Sequence, residues 1–237
     1  MSASRMSASR TARERARAEI TREIKEEARR QVAAEGAQRL SLRAVARQLG
    51  MVSSAVYRYF PSRDSLLTAL IIDAYDALGS AAEAADAGQP RSDLRGRWRA
   101  ICHSVRSWAA ASPHEYALIY GSPVPGYRAP QETVAPASRA GLMLGRLLDD
   151  AWASDAISGV PEGSSMSPLL AEQAAVLAAA IAPGVPGPVV LRGLIAWTQL
   201  FGMISFELFG QFVGVVDPGD EFFRHAIEQM ADFAGFP

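Results

Sequence analysis

The sequence predicts an all-α protein of nine or ten helices, with a small N-terminal helical domain and a larger helical one behind it. Two observations carry that expectation. Apolar residues recur every three or four positions along nearly every segment, and no stretch alternates apolar and polar residues between hairpin turns. Glycine and proline then cut the chain into helix-sized lengths, at Gly36, Gly50, Pro61, Gly88-Gln89-Pro90, 121–130 and 183–188. With 237 residues, 49% of them hydrophobic and 21% charged, the chain has the length and composition for a sizeable core.

Each element has its own signals. A first helix is expected over 15–34, where Ile20, Ile24, Ala28 and Val32 recur every fourth residue and charge occupies the other faces. Ser41 is placed to cap a short helix over 42–49, and Gly50 to end it. The chain restarts within three residues and runs to Phe60, where Pro61-Ser62 breaks it. Ser62 and Asp64 suit the start of a long helix reaching about Ala85. Further helices are expected over 92–111, 114–120, 132–153, 167–182 and 189–212, with a last one after Asp217-Pro218 reaching Phe233. Residues 121–130 hold three prolines and two glycines and read as a loop; 158–167, rich in Gly and Ser, reads as mobile.

The net charge of −1 hides an asymmetry. Residues 1–70 hold 14 Lys+Arg against 7 Asp+Glu, and the rest hold 10 against 18. A basic head on an acidic body suits a polyanionic partner at one end, although a solvated basic helix would look the same. Cys102 is the only cysteine, so no intrachain disulfide is possible, which suits a cytoplasmic protein. The N-terminus repeats MSASR with either Met1 or Met6 as a start, has no signal-peptide stretch, and reads as a disordered basic tail over 1–14. The most apolar region leaves only 14 residues between Arg192 and Glu207, so no membrane span is expected. Three histidines and one cysteine show no metal spacing, and neither a metal nor a cofactor is expected.

The segment from Ser41 to Phe60 carries most of the information. Val45 and Leu49 face inward, Ala46 is small where a second helix must cross, Gly50 turns the corner, and Val56 and Phe60 face inward again. Two short helices joined by a glycine turn form a helix-turn-helix, whose second helix enters the major groove. By spacing alone, a helical hairpin without a ligand fits as well.

The run Leu49-Gly50-Met51-Val52-Ser53-Ser54-Ala55-Val56-Tyr57-Arg58-Tyr59-Phe60, followed by Arg63 and Leu66-Leu67, resembles the head of the TetR family of repressors. Val52 departs from it, standing where the family has a serine, so that capping is expected to pass to Ser53. The resemblance implies a DNA-binding domain over 15–75 and a ligand-binding and dimerisation domain over 76–237. Ser53, Ser54 and Ala55 would lie at the base-reading front of the recognition helix, where short side chains favour water or thymine-methyl contacts. Tyr57 and Tyr59 would meet phosphates or pack, and Arg58 would reach a base or a phosphate. Ser41 and Arg43 would sit where a helix start meets a phosphate. Arg10, Arg13, Arg15 and Arg17 form an arm that either enters the minor groove or is merely solvated.

In the body, Trp197 to Gly202 resembles the Trp-x-x-x-His-Gly helix of one TetR C-terminal subfamily, with Phe201 in place of the histidine. This helix is apolar nearly all round, which demands burial on all sides. Leu194, Trp197, Phe201, Ser205 and Leu208, with Phe222 and Ile227 of the last helix, are either a dimer interface or internal core. Trp98, Cys102, Trp108, Tyr116, Tyr120, Leu142 and Met143, with Leu147 and Trp152, either line a pocket for a small hydrophobic inducer or fill the core. The implied function is a ligand-responsive repressor that binds a near-palindromic double-stranded operator as a homodimer. The alternatives are a helical adaptor and an all-α enzyme. Neither G-x-S-x-G, a P-loop nor H-E-x-x-H occurs, so no catalytic role is expected.

Overall fold

A computed structural model of the chain describes residues 2–157 and 166–237, with side chains from residue 12 onward. Among the described residues there are ten α-helices and no strand: α1 (Ser2–Glu35), α2 (Leu42–Gln48), α3 (Ser53–Tyr57), α4 (Arg63–Ala87), α5 (Leu94–Ala111), α6 (Pro113–Tyr120), α7 (Val134–Ala153), α8 (Pro168–Ile181), α9 (Gly187–Leu208) and α10 (Asp220–Ala234). Most of the expected segments appear, with three shifts of bounds that have local causes. The first helix begins at Ser2, not near Arg15, so the expected tail is helical. Residues 1–35 contain no glycine or proline, and Ala, Met, Arg and Glu favour the helix throughout. The recognition helix ends at Tyr57, short of Phe60. α9 ends at Leu208 because the chain turns left-handed at Gly210, with φ 76°. Most of the expected mobile stretch, 158–165, lies outside the described residues.

Side-chain caps define several helix starts. Ser41 accepts a hydrogen bond from the Ala44 N–H at 3.4 Å, and Asp93 from the Gly96 N–H at 2.8 Å. Ser167 accepts from the Leu170 N–H at 3.2 Å. Ser62 accepts from the Ser65 N–H at 3.0 Å while Ser65 Oγ accepts the Ser62 N–H at 3.1 Å. Each bond satisfies a backbone donor that the first helical turn leaves without a partner.

The chain divides into two compact units, residues 1–74 with 114–133, and residues 75–113 with 134–237. The division falls inside α4, which therefore supplies residues to both. No local pattern in the sequence signals that α6 and the loop after it belong with the first unit. In that unit Ile24, Ala28 and Val32 of α1, Val45 and Ala46 of α2, Val56 of α3 and Leu66, Leu67 and Leu70 of α4 are buried. Lys25 and Arg29 of α1 both pair with Asp73 of α4, at 2.7 and 2.5 Å. The proline-rich loop is tied down by Tyr127, whose hydroxyl lies 2.8 Å from that of buried Thr68.

In the second unit α5 packs against α7, α9 and α10, and α9 packs against α7, α8 and α10. Arginines along α5 reach carboxylates on its neighbours. Arg95 and Arg99 hold Glu228, and Arg106 holds Glu207 and Asp220. The hydrogen bonds from Arg99 and Arg95 hold the Glu228 carboxyl below its ordinary range. By length and composition alone, α4 and α9 are long and apolar enough to cross a membrane, so the short gap between Arg192 and Glu207 does not discriminate. Their buried faces, including Leu66, Leu70, Val190, Leu200 and Ile204, are core surface here.

Candidate nucleic-acid interface

The geometry of the head follows from a few residues. α1 packs on α2, and α2 on α3. Buried Val45, Ala46 and Val56 hold the second contact, with Phe60 buried just beyond α3. Gly50 turns the chain between them at φ 66°. A Cβ at Gly50 would meet nothing within 4 Å, so the cost of Gly50→Ala is purely that of the left-handed backbone. Thermal melting of that variant is expected to show a loss of about 1–2 kcal/mol.

Four backbone positions, Leu49 to Val52, separate α2 from α3. Val52 takes the N-cap position with an extended backbone (φ −70°, ψ 139°) and offers no capping oxygen. Ser53 is the first helical residue, so capping does not pass to it. The serine would need extended dihedrals to cap, and the chain gives those to Val52.

The exposed face of this head is strongly basic. Residues 36–63 contain five arginines and neither Asp nor Glu. Arg39, Arg43, Arg47 and Arg58 are exposed. Arg43, Arg47 and Arg58 form no ion pair among the described residues. Arg39, in the turn between α1 and α2, and Arg47, on the wet side of α2, escape sequence reading because exposed arginines at such places also serve solubility alone. Arg63, the basic residue of the family pattern, is turned to another task. Its Nη2 donates to the Ala37 and Gln38 carbonyls at 2.9 and 3.3 Å, strapping the start of α4 to the turn after α1.

The residues expected to contact DNA differ in exposure. Ser54, Tyr57 and Arg58 are exposed, whereas Ser53 and Ala55 are half-buried. Ser41 is half-buried and spends its hydroxyl on the helix cap. Arg13 is exposed on α1. The Arg17 guanidinium lies 5.0 Å from the centre of the Tyr59 ring, so the two engage each other in a cation–π contact. The side chain of Arg10 lies outside the described residues.

The other expected sites are redistributed. Tyr116 and Tyr120 belong to the first unit and pack ring to ring at 5.2 Å, while the remaining pocket candidates belong to the second. Trp98 is core: its Nε1 donates to the Ile227 carbonyl at 2.8 Å and its ring packs on Phe236. Cys102 and Met143 are buried, Trp108 is half-buried and Leu142 is exposed. Burial pushes the Cys102 thiol well above its ordinary range, which disfavours the reactive thiolate. In the native chain Cys102 is expected to resist a thiol reagent and to react once urea unfolds it. Rapid labelling of the folded chain would show instead that the thiol is accessible and reactive.

Among the interface candidates, Phe201 and Ile227 are buried within the second unit. Phe201 packs edge-on against Trp197 at 5.0 Å, which suits a phenyl ring where the subfamily has an imidazole. Leu194, Trp197, Ser205 and Leu208 are half-buried and Phe222 is exposed. The large hydrophobic residues exposed on α9, in the turns after it and on α10 are Ile195, Phe206, Phe209, Val213, Val215, Phe222 and Phe233, and the rings of Phe206 and Phe222 both pack on Phe212.

Comparison with known proteins gives the same picture. The family profile described as "Bacterial regulatory proteins, tetR family" matches residues 24–70, and "Tetracyclin repressor-like, C-terminal domain" matches 98–230. The HTH-type transcriptional regulator Rv1816 of Mycobacterium tuberculosis is 39% identical over 215 residues, spanning 86% of this chain and 88% of that protein. The regulator Mb1846 of Mycobacterium bovis matches to the same extent. The crystal structure of the regulatory protein SCO4313 is 35% identical with a TM-score of 0.74, covering 92% of this chain and 98% of that one. A protein of unknown function from Rhodococcus sp. RHA1, 23% identical, shares the fold with a TM-score of 0.69 over 92% of this chain and 95% of its own.

Proposed function

The chain belongs to the TetR family of bacterial transcriptional regulators, and we propose that within it the protein is a ligand-responsive repressor, binding a near-palindromic operator as a homodimer. The observation that carries this reading is the charge of the segment 36–63: five arginines and no carboxylate, with Arg43, Arg47 and Arg58 exposed and without an ion pair among the described residues, while Arg63 pairs with Asp64. Such a surface repels itself in the free protein and is neutralised by a phosphate backbone.

A dimer is supported by the exposed apolar side chains of Ile195, Phe206, Phe209, Phe222 and Phe233. Exposed apolar surface of this kind marks an association site. A two-fold protein reads two half-sites about 34–36 Å apart, or a multiple of that. The inducer is a small apolar molecule taken up by the second unit, in the cytoplasm where the operator lies. α4 supplies residues to both units, and a ligand acts through it only by binding one arrangement more tightly than the other.

Selection of bound duplexes from a random pool tests the reading. The expected product is a two-fold symmetric consensus bound by two chains. Equal affinity for that product and for random duplex, at several salt concentrations, would refute operator recognition. Phe206→Glu, which places a charge at a position 53% exposed, is expected to yield monomers in sedimentation and to weaken operator binding at least tenfold.

A further inference from the structure

We infer that Val52 recognises the 5-methyl group of a thymine, so that apolar contact at the head of the recognition helix carries base selection by this chain. The inference rests on the DNA-binding reading above and assigns to it a residue that the serines of α3 would otherwise displace.

Two costs converge on Val52. It occupies the N-cap of α3, where Ser, Thr, Asp or Asn would satisfy a free backbone N–H and valine cannot. It is also 71% exposed. Within the first unit, Val52 and Tyr57 are the only large hydrophobic side chains exposed among the described residues, and both lie at α3. In the free protein a serine here would relieve both costs. A residue that breaks a local rule twice at one exposed position has its compensation in something that binds there.

The surroundings identify what binds. Val52 belongs to a segment, 36–63, that carries exposed Arg43, Arg47 and Arg58 and no carboxylate, which suits a polyanion. Against a duplex, a side chain with neither donor nor acceptor has one matching feature in the major groove. Every base edge there presents hydrogen-bonding groups, and thymine alone adds a methyl. Ser53 and Ala55 are half-buried, so Val52 and Ser54 are the side chains at the helix start that stand out far enough to read, with Tyr57 and Arg58 exposed at its other end.

The test uses the full chain and a duplex enriched from a random pool, with each thymine replaced singly by deoxyuridine, which lacks only the methyl. At one thymine in each half-site, the replacement is expected to weaken wild-type binding about fourfold, the ratio supplied by withdrawing one methyl-sized group from water. Val52→Ser is expected to bind the thymine and uracil duplexes alike, and Val52→Ala, with its shorter apolar side chain, to discriminate less than the wild type. Val52→Ser is also expected to melt at or above the wild-type temperature, because its hydroxyl supplies the missing cap. Loss of discrimination with undiminished stability separates base reading from a packing role.

If Val52→Ser keeps the wild-type preference for thymine over uracil, or if no thymine is methyl-sensitive, the inference falls while DNA binding stands. If the chain enriches no duplex at all, the DNA-binding reading falls and takes the inference with it.

Discussion

Replacing Arg97 with methionine is expected to destabilise the protein by about 3–5 kcal/mol, read from the urea midpoint at unchanged slope. The Arg97 side chain is fully buried. Its Nε donates to Asp86 Oδ1 at 2.7 Å and its Nη2 to Asp86 Oδ2 at 3.2 Å. Its Nη1 donates to Asp150 Oδ2 at 2.8 Å and to the Arg91 carbonyl at 3.3 Å. One guanidinium thus joins α4, α5 and α7. Methionine fills much of the volume but leaves the Asp86 and Asp150 carboxylates without the guanidinium they share. Arg91, 2.6 Å from Asp150, offsets part of that loss from the wet side. The double variant Arg97→Met, Asp86→Asn should therefore lose less than the two single variants added together, because the second substitution removes one stranded charge. A cost of Arg97→Met under about 1 kcal/mol would instead place the network among solvent-compensated surface pairs.

Arg97 also shows why only part of this molecule is legible in its sequence. An arginine in an amphipathic helix looks like solvated charge, and its partners lie 11 and 53 residues away. The head is legible because its code is local. Ser41 caps the helix that follows it by accepting an N–H three residues downstream, and Gly50 turns at a position where any side chain would be strained. Even there, local reasoning stops at pairs distant in the chain. Nothing near Arg17 indicates that its charge rests over Tyr59, and nothing near Arg63 names the Ala37 carbonyl. The body is less legible still. α9 is apolar on almost every side, so periodicity says that it is buried without saying toward what. Phe201 faces the core and Phe206 faces out because α8 and α10 pack where they do. The charge of the head is a property of composition, and survives every error of register.

Replacing Arg43, Arg47 and Arg58 together by alanine is expected to lower affinity for a selected duplex by about a thousandfold or more at moderate salt, and to flatten its salt dependence. Each phosphate neutralised releases condensed counterion, and contributes about −0.9 to the slope of log K against log salt. Three arginines in each of two protomers would account for a slope change of roughly 5. Stability should hardly move: all three side chains are exposed and have no carboxylate to leave stranded, so a loss beyond about 0.5 kcal/mol is not expected. The single variants then separate grip from reading. A phosphate contact weakens selected and random duplexes equally, whereas a base contact weakens only the selected one. Arg43→Ala and Arg47→Ala, on α2, should leave the ratio of the two affinities unchanged. Arg58→Ala, at the end of the recognition helix, should lower that ratio if the guanidinium reaches a base edge and preserve it if it stops at the backbone. An unchanged salt slope in the triple variant would show that the basic face of the head is not the surface that meets DNA.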